Sequence, residues 1–155
     1  MAIAYLGIGT NLGNKRQEIK EAIQYIQKQI GKVVSQSAFH SYAPWGFHST
    51  NSFLNAAIAV NTTLSPREVL IETQAIEKLM GRIEKSVDKH YQDRLIDIDI
   101  LLYDNLCMNE KDLTIPHPLM TERLFVMEPL TEIAPDFVHP TYHKSIKELL
   151  ITLQS

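Results

Sequence analysis

Hydrophobic positions along this chain change period several times, and each change marks an element. Ile3 to Ile8 is a short apolar run with β-branched and aromatic content, which predicts a first strand. Ile19, Ala22, Ile23, Ile26 and Ile30 then recur three and four apart. That stripe predicts a helix from Lys15 to Ile30, stopped by Gly31. Lys32 to Phe39 reads as a second strand. Phe53 to Thr62 is a third, with Leu54, Ala56, Ile58 and Val60 alternating with Phe53, Asn55, Ala57 and Ala59. Ser65-Pro66-Arg67-Glu68 sets a Ser N-cap, a Pro in the first turn and a Glu that can return the cap. The second helix follows through Val69, Leu70, Thr73, Ile76 and Met80 to Gly81. Arg94 to Leu102 is a fourth strand. Ile96, Ile98, Ile100 and Leu102 share one face, and Asp97 and Asp99 the other. Beyond it, Leu113 to Pro118 is extended by its prolines, Met120 to Leu130 reads as short helical turns, Glu132 to Tyr142 as a loop, and Ser145 to Leu153 as an amphipathic helix.

The order β-α-β-β-α-β defines an α+β, ferredoxin-like core with extra C-terminal turns and a helix. Two helices are expected on one face of an antiparallel sheet. The other face is expected to be free for a site, with Asn55, Asp97 and Asp99 pointing there.

Composition narrows the function classes. At 155 residues and 45% apolar, the chain is expected to form one domain, residues 1–155, with a real core. A net charge of −3 gives no support for a nucleic-acid partner. Cys107 is the only cysteine, so no internal disulfide forms, which fits a reducing, cytoplasmic setting. The N-terminus lacks the basic start of a signal peptide, and no apolar run is long enough to span a membrane. A monomer acting on small molecules is expected.

Two acids on one strand face repel each other, and Asp is depleted in strands. Their Cα atoms would lie roughly 6–7 Å apart, a spacing that lets two carboxylates share a pair of hard cations. The bland alternative is a solvated strand face. Arg82 and Arg94 flank the pair, and cations beside paired acids would place phosphate and divalent metal together. Gly9-Thr10-Asn11-Leu12-Gly13 is either a strand-to-helix turn or a phosphate cradle. The stretch from Ser41 to Ser52 contains Trp45, the only tryptophan, and either plugs the core or sandwiches a flat heterocycle. Asn55 lies inside an apolar strand and needs partners, from the protein or from a ring edge carrying donors and acceptors. Gln74 and Glu77 share a helix face, and His117 and Arg123 flank a predicted turn; each has a purely structural reading as well.

Together these segments resemble the 6-hydroxymethyl-7,8-dihydropterin pyrophosphokinase family of folate biosynthesis. The resemblance covers nearly the whole chain. It rests on Gly9 to Gly13, Phe53-Leu54-Asn55-Ala56-Ala57, Gln74 to Arg82, the Arg94-Leu95-Ile96-Asp97-Ile98-Asp99-Ile100-Leu101 block, and Ile115-Pro116-His117-Pro118 leading to Arg123. It implies diphosphate transfer from ATP to the hydroxymethyl group of the pterin, giving AMP and the pterin diphosphate. It also implies that Asp97 and Asp99 hold two Mg²⁺ ions. Arg82 and Arg94 would act with them, and Gln74, Glu77, Arg82, Arg94, the Ile100 backbone, Thr114, His117 and Arg123 would contact ATP. The pterin would meet Tyr42, Ala43, Trp45, Phe53, Asn55 and Phe125. This chain departs from the family where a second Arg usually follows Arg82: here Glu84 stands, with Lys85 and Lys89 nearby as point charges. Two rivals remain at this level, a ferredoxin-like ligand-sensing or RNA-binding module and an inactive relative that binds nucleotide without turnover.

Overall fold

The computed structural model describes residues 1–43, 52–81 and 96–155. Four long strands form an antiparallel sheet in the order β2 (Gly31–Gln36), β4 (Phe53–Thr62), β1 (Ala2–Thr10), β5 (Asp97–Tyr103). This is the expected ferredoxin-like order. A three-residue strand, β3 (His40–Tyr42), also pairs with β4, beyond the end of β2. It was not expected, because three residues are too few to show an alternation.

α1 (Lys15–Gln29) and α2 (Pro66–Leu79) cover one face. Asn14 caps α1 by accepting from the Gln17 N–H. Ser65 and Glu68 form the reciprocal capping box of α2, with Pro66 in its first turn. The stripe Ile19, Ala22 and Ile26 meets Val69 and Ile76 of α2 and the inward row Leu6, Ile8, Ile58, Val60, Ile98 and Ile100 of the sheet.

The opposite face is not left free. A second core forms there from Ala57, Leu101, Leu102, Met120, Met127, Leu130 and Ile146, with Tyr5 and Phe137 packed edge to face at 5.4 Å. Its cover is α3 (Leu124–Ile133) and α4 (Ile146–Gln154). α4 begins with its own capping box, Ser145 and Glu148. α3 continues through Pro129, where the helix loses one backbone donor, so the sequence there looks more broken than the fold is.

The expectation for Leu102 is also corrected. The register between β1 and β5 slips at Tyr5/Leu6, so Ile100 opposes Leu6 but Leu102 opposes Tyr5. The extra residue is Leu101, whose side chain lies over Gly7. This β-bulge turns the strand over: Ile96, Ile98 and Ile100 stay in the first core, while Leu101 and Leu102 enter the second. Past β5, β6 (Met108–Glu110) and β7 (Leu113–Ile115) form a small hairpin. The His117 N–H anchors the chain after it by donating to the Leu101 carbonyl at 2.9 Å.

Candidate active site

The second core stops short of one end of the sheet, and there the polar side chains gather. Across that end runs one row of same-face residues: His40 on β3, Asn55 on β4, Gly9 on β1 and Asp97 on β5. In the next row Asp99 pairs with Gly7. Gly9 is required by packing, because a Cβ there would lie 2.5 Å from Asn55 Oδ1. Asn55 is 8% exposed, and its Nδ2 has no hydrogen-bond partner among the described residues. A buried amide donor left open in this way is costly unless something else satisfies it.

Tyr42 and Phe53 are directly paired on β3 and β4, and Phe125 meets the Tyr42 ring at 6.3 Å and 63°. The Tyr42 hydroxyl donates to Glu128 at 2.7 Å. Burial pushes its phenol well above the ordinary range, and the bond to Glu128 with the charges of Glu128 and Glu132 pushes it further. Ala43 is exposed just after β3.

On the other side of Asp97 and Asp99 is a cleft of about 450 Å³ lined by Leu70, Thr73, Gln74, Glu77, Ile98, Leu119, His117 and Arg123 together with the two acids. Six of the expected residues therefore converge: Gln74, Glu77, Asp97, Asp99, His117 and Arg123. Glu77 is buried, and its Oε2 accepts from the Ile98 N–H at 2.7 Å. This places a carboxylate against the free edge of β5, between the two aspartates. By the alternation of an edge strand, the backbone groups of Ile100 face the same way, while its side chain is in the core.

His117 Nδ1 accepts from the Leu119 N–H at 3.2 Å, so the neutral ring carries its proton on Nε2. Burial lowers its pKa, Asp99 opposes that shift, and Arg123 adds to it. The Arg123 guanidinium lies 5.6 Å from the Phe125 ring centre, joining the cleft to the aromatic wall. Thr114 stands apart: its hydroxyl bonds Asn109, and it lines a second cavity of about 550 Å³ on the far side of His117. Arg82, Arg94 and Trp45 lie outside the described residues.

Among the described residues no cluster of three or more His, Cys, Asp or Glu side chains could by itself enclose a metal. Two hard carboxylates on an open face instead suit a cation that fills most of its shell with water and phosphate oxygen. Leu70, Thr73 and Leu119 also line the cleft, though in the sequence they occupy ordinary helix and turn positions. Glu128 and Glu132 escape notice in the sequence too, because their spacing of four is a helical signal hidden by Pro129.

A ferredoxin-like sheet carrying an acid pair, with Arg123 and His117 in the cleft beside it, suits a small-molecule phosphoryl-transfer protein. Residues 5–135 match the 7,8-dihydro-6-hydroxymethylpterin-pyrophosphokinase family, and the chain belongs to it. It is 43% identical over 141 residues to the 2-amino-4-hydroxy-6-hydroxymethyldihydropteridine pyrophosphokinase of Porphyromonas gingivalis, covering 90% of this chain and 95% of that one. The Aquifex aeolicus protein of the same name is 37% identical over 148 residues, covering 96% and 90%. The fold matches Plasmodium falciparum HPPK-DHPS solved with pteroate at a TM-score of 0.80 and 17% identity, covering 97% of this chain and 42% of that longer one. The chain's activity is pyrophosphokinase activity in folate biosynthesis, with ATP and the hydroxymethyl dihydropterin as its substrates.

Proposed function

We propose that the transfer takes place over the Gly9 row, with the pterin between Asn55 and Asp97 and the triphosphate of ATP along His117 and Arg123. The observation that carries this reading is the orphaned Asn55 Nδ2, on the same face as the acid pair with the single strand β1 between them. With strands ~4.8 Å apart, Asn55 and Asp97 are separated by roughly 10 Å, the reach of a bicyclic ring with an exocyclic carbon. The Asn55 amide can donate and accept, matching a ring edge that does both. Tyr42, Phe53 and Phe125 offer flat apolar surface to the same ring.

Asp97 and Asp99 would hold Mg²⁺. When bound, that ion supplies neutralisation of phosphate charge and alignment of the attacking oxygen. The pterin hydroxyl oxygen bonds to the β-phosphorus as the bond from that phosphorus to the α,β-bridging oxygen breaks, so AMP leaves and the hydroxyl proton passes to water. Arg123 and the Nε2–H of neutral His117 donate to phosphate oxygens. Gln74 and the Ile100 backbone serve the nucleotide end, and Glu77 holds the Ile98 N–H between the acids. Arg82, Arg94, Thr114, Ala43 and Trp45 retain the roles that the family resemblance implies. The chain acts as a cytoplasmic monomer in this reading. No helix among the described residues is long and apolar enough to cross a membrane.

The test is AMP formation from ATP and Mg²⁺, with and without 6-hydroxymethyl-7,8-dihydropterin, for the unmodified chain and Asp97→Ala. AMP is expected only with pterin and only from the unmodified chain. A near-normal rate in the variant would remove Asp97 from the mechanism.

A further inference from the structure

The residue directly opposite Asn55 on β3 is His40. Directly paired residues in an antiparallel ladder present their side chains to one face, with Cβ atoms about 4.5–5.5 Å apart. An imidazole there has both the reach and the lone pair to satisfy the open Asn55 donor, yet it does not. The His40 Nε2 is instead bonded to Glu132 Oε2 on α3. The other oxygen of Glu132 accepts from the Ala38 N–H at 2.8 Å, which fixes the carboxylate in place. One helical turn earlier, Glu128 holds Tyr42, the next residue of β3 on that face. Two acids on one side of α3 thus hold both side chains of β3 that border Asn55.

We propose that Glu132 is a positioning residue, which holds the His40 ring on α3 and so keeps the Asn55 amide donor open for an acceptor on the pterin. The physical reason is a competition. The bond to the Glu132 carboxylate, itself held by the Ala38 N–H, is charge-assisted and outweighs a neutral imidazole–amide bond, whereas without it the orphaned Asn55 donor is the strongest partner left to the ring. An unrestrained His40 ring would therefore turn to Asn55 and close the substrate's place. This inference deepens the pterin reading of Asn55 and rests on it.

The experiment is a double-mutant cycle on the full chain, reading the affinity for 6-hydroxymethyl-7,8-dihydropterin in the presence of a non-hydrolysable ATP analogue. Glu132→Ala is expected to weaken pterin binding about tenfold, leaving the affinity for the ATP analogue unchanged. His40→Ala alone leaves both unchanged. Glu132→Ala combined with His40→Ala regains pterin affinity to within about threefold of the unmodified chain, because no ring remains to occupy Asn55. Glu132→Gln, which can still accept from Ala38 and donate to the ring, binds normally.

A double variant as weak as Glu132→Ala alone would show a merely structural role, and an unweakened Glu132→Ala would deny any role; either outcome overturns the proposal. Asn55→Ala separates the pterin contact from the positioning role. If it binds pterin normally, the reading of Asn55 itself fails. If it binds weakly while Glu132→Ala does not, only the positioning role fails. Should Glu132→Ala not fold, the side-chain amide resonances of Asn55 in the unmodified protein decide. They should shift on pterin addition, and an amide already bonded in free protein would overturn the proposal.

Discussion

The carboxylate of Glu77 accepts the backbone N–H of Ile98, the residue between Asp97 and Asp99, across 2.7 Å in the protein interior. A helix residue thereby completes the outer edge of the strand that carries the acid pair. Glu77→Ala would leave that N–H buried without a partner, at a cost of ~1–3 kcal/mol. Glu77→Gln keeps an accepting oxygen and should lose less than ~1 kcal/mol. Urea unfolding midpoints compare the two, and equal losses would mean that the bond contributes nothing.

Asp97 and Asp99 repel one another on one strand face, so removing one charge should cost activity without costing stability. Asp97→Asn and Asp99→Asn are each expected to lower turnover at least about 100-fold while leaving the melting temperature unchanged or raised. A chelator should likewise stop turnover, with Mg²⁺ restoring it and the melting curve unaffected. A melting temperature that falls with turnover would make the acids structural.

Gly9→Ala tests the crowding between β1 and the amide opposite. The added carbon would sit 2.5 Å from Asn55 Oδ1, so the amide must turn. The expected result is a pterin KM raised about tenfold, equivalent to ~1.4 kcal/mol, with the KM for ATP little changed. Equal rises in both constants would point to a distorted sheet instead.

His139 gives a stability dependence on pH. It is 3% exposed, and its Nδ1 accepts the N–H groups of Thr141 and Tyr142. Burial first, then the charge of His143, lowers its pKa below the ordinary 6.5. The unfolded chain therefore takes up a proton as pH falls through about 6.5 while the native chain stays neutral. Stability from this residue is level above that pH and declines below it, until the native ring also protonates. His139→Asn, which can keep an acceptor near the Nδ1 position, should show a shallower decline in unfolding free energy between about pH 6.5 and pH 5. An unchanged slope would assign the decline to other groups.

How legible the molecule was depended on which forces set each element. Phe53–Thr62 could be read to the residue, because a central strand packed on both faces shows a long, nearly continuous apolar run. The acid pair stood out since its residue types oppose their setting. Leu102 could not be placed, because the slip opposite Tyr5 arises between strands, and the alternation within one strand does not register it. The cover over the second face was missed for a related reason. Pro129 interrupts the local signal of α3, while its packing on Ala57 and Leu101 supplies the stability. The aromatic and amide wall was visible as residues, but the acids behind it were not, since partnership between Glu132 and His40 spans 92 positions.

The bulge at Leu101 has a consequence for how relatives of this chain can vary. Its carbonyl receives His117, so the count of residues from Asp99 to the bulge fixes where the histidine stands relative to the acids. A single-residue deletion there would leave composition and length almost untouched. It would nonetheless swap the orientation of every position that follows and send a leucine to water. Loop lengths beyond Asp104 can drift, but the interval from Asp97 to Leu102 behaves as a ruler, and gaps in it should be absent from any active member of the family.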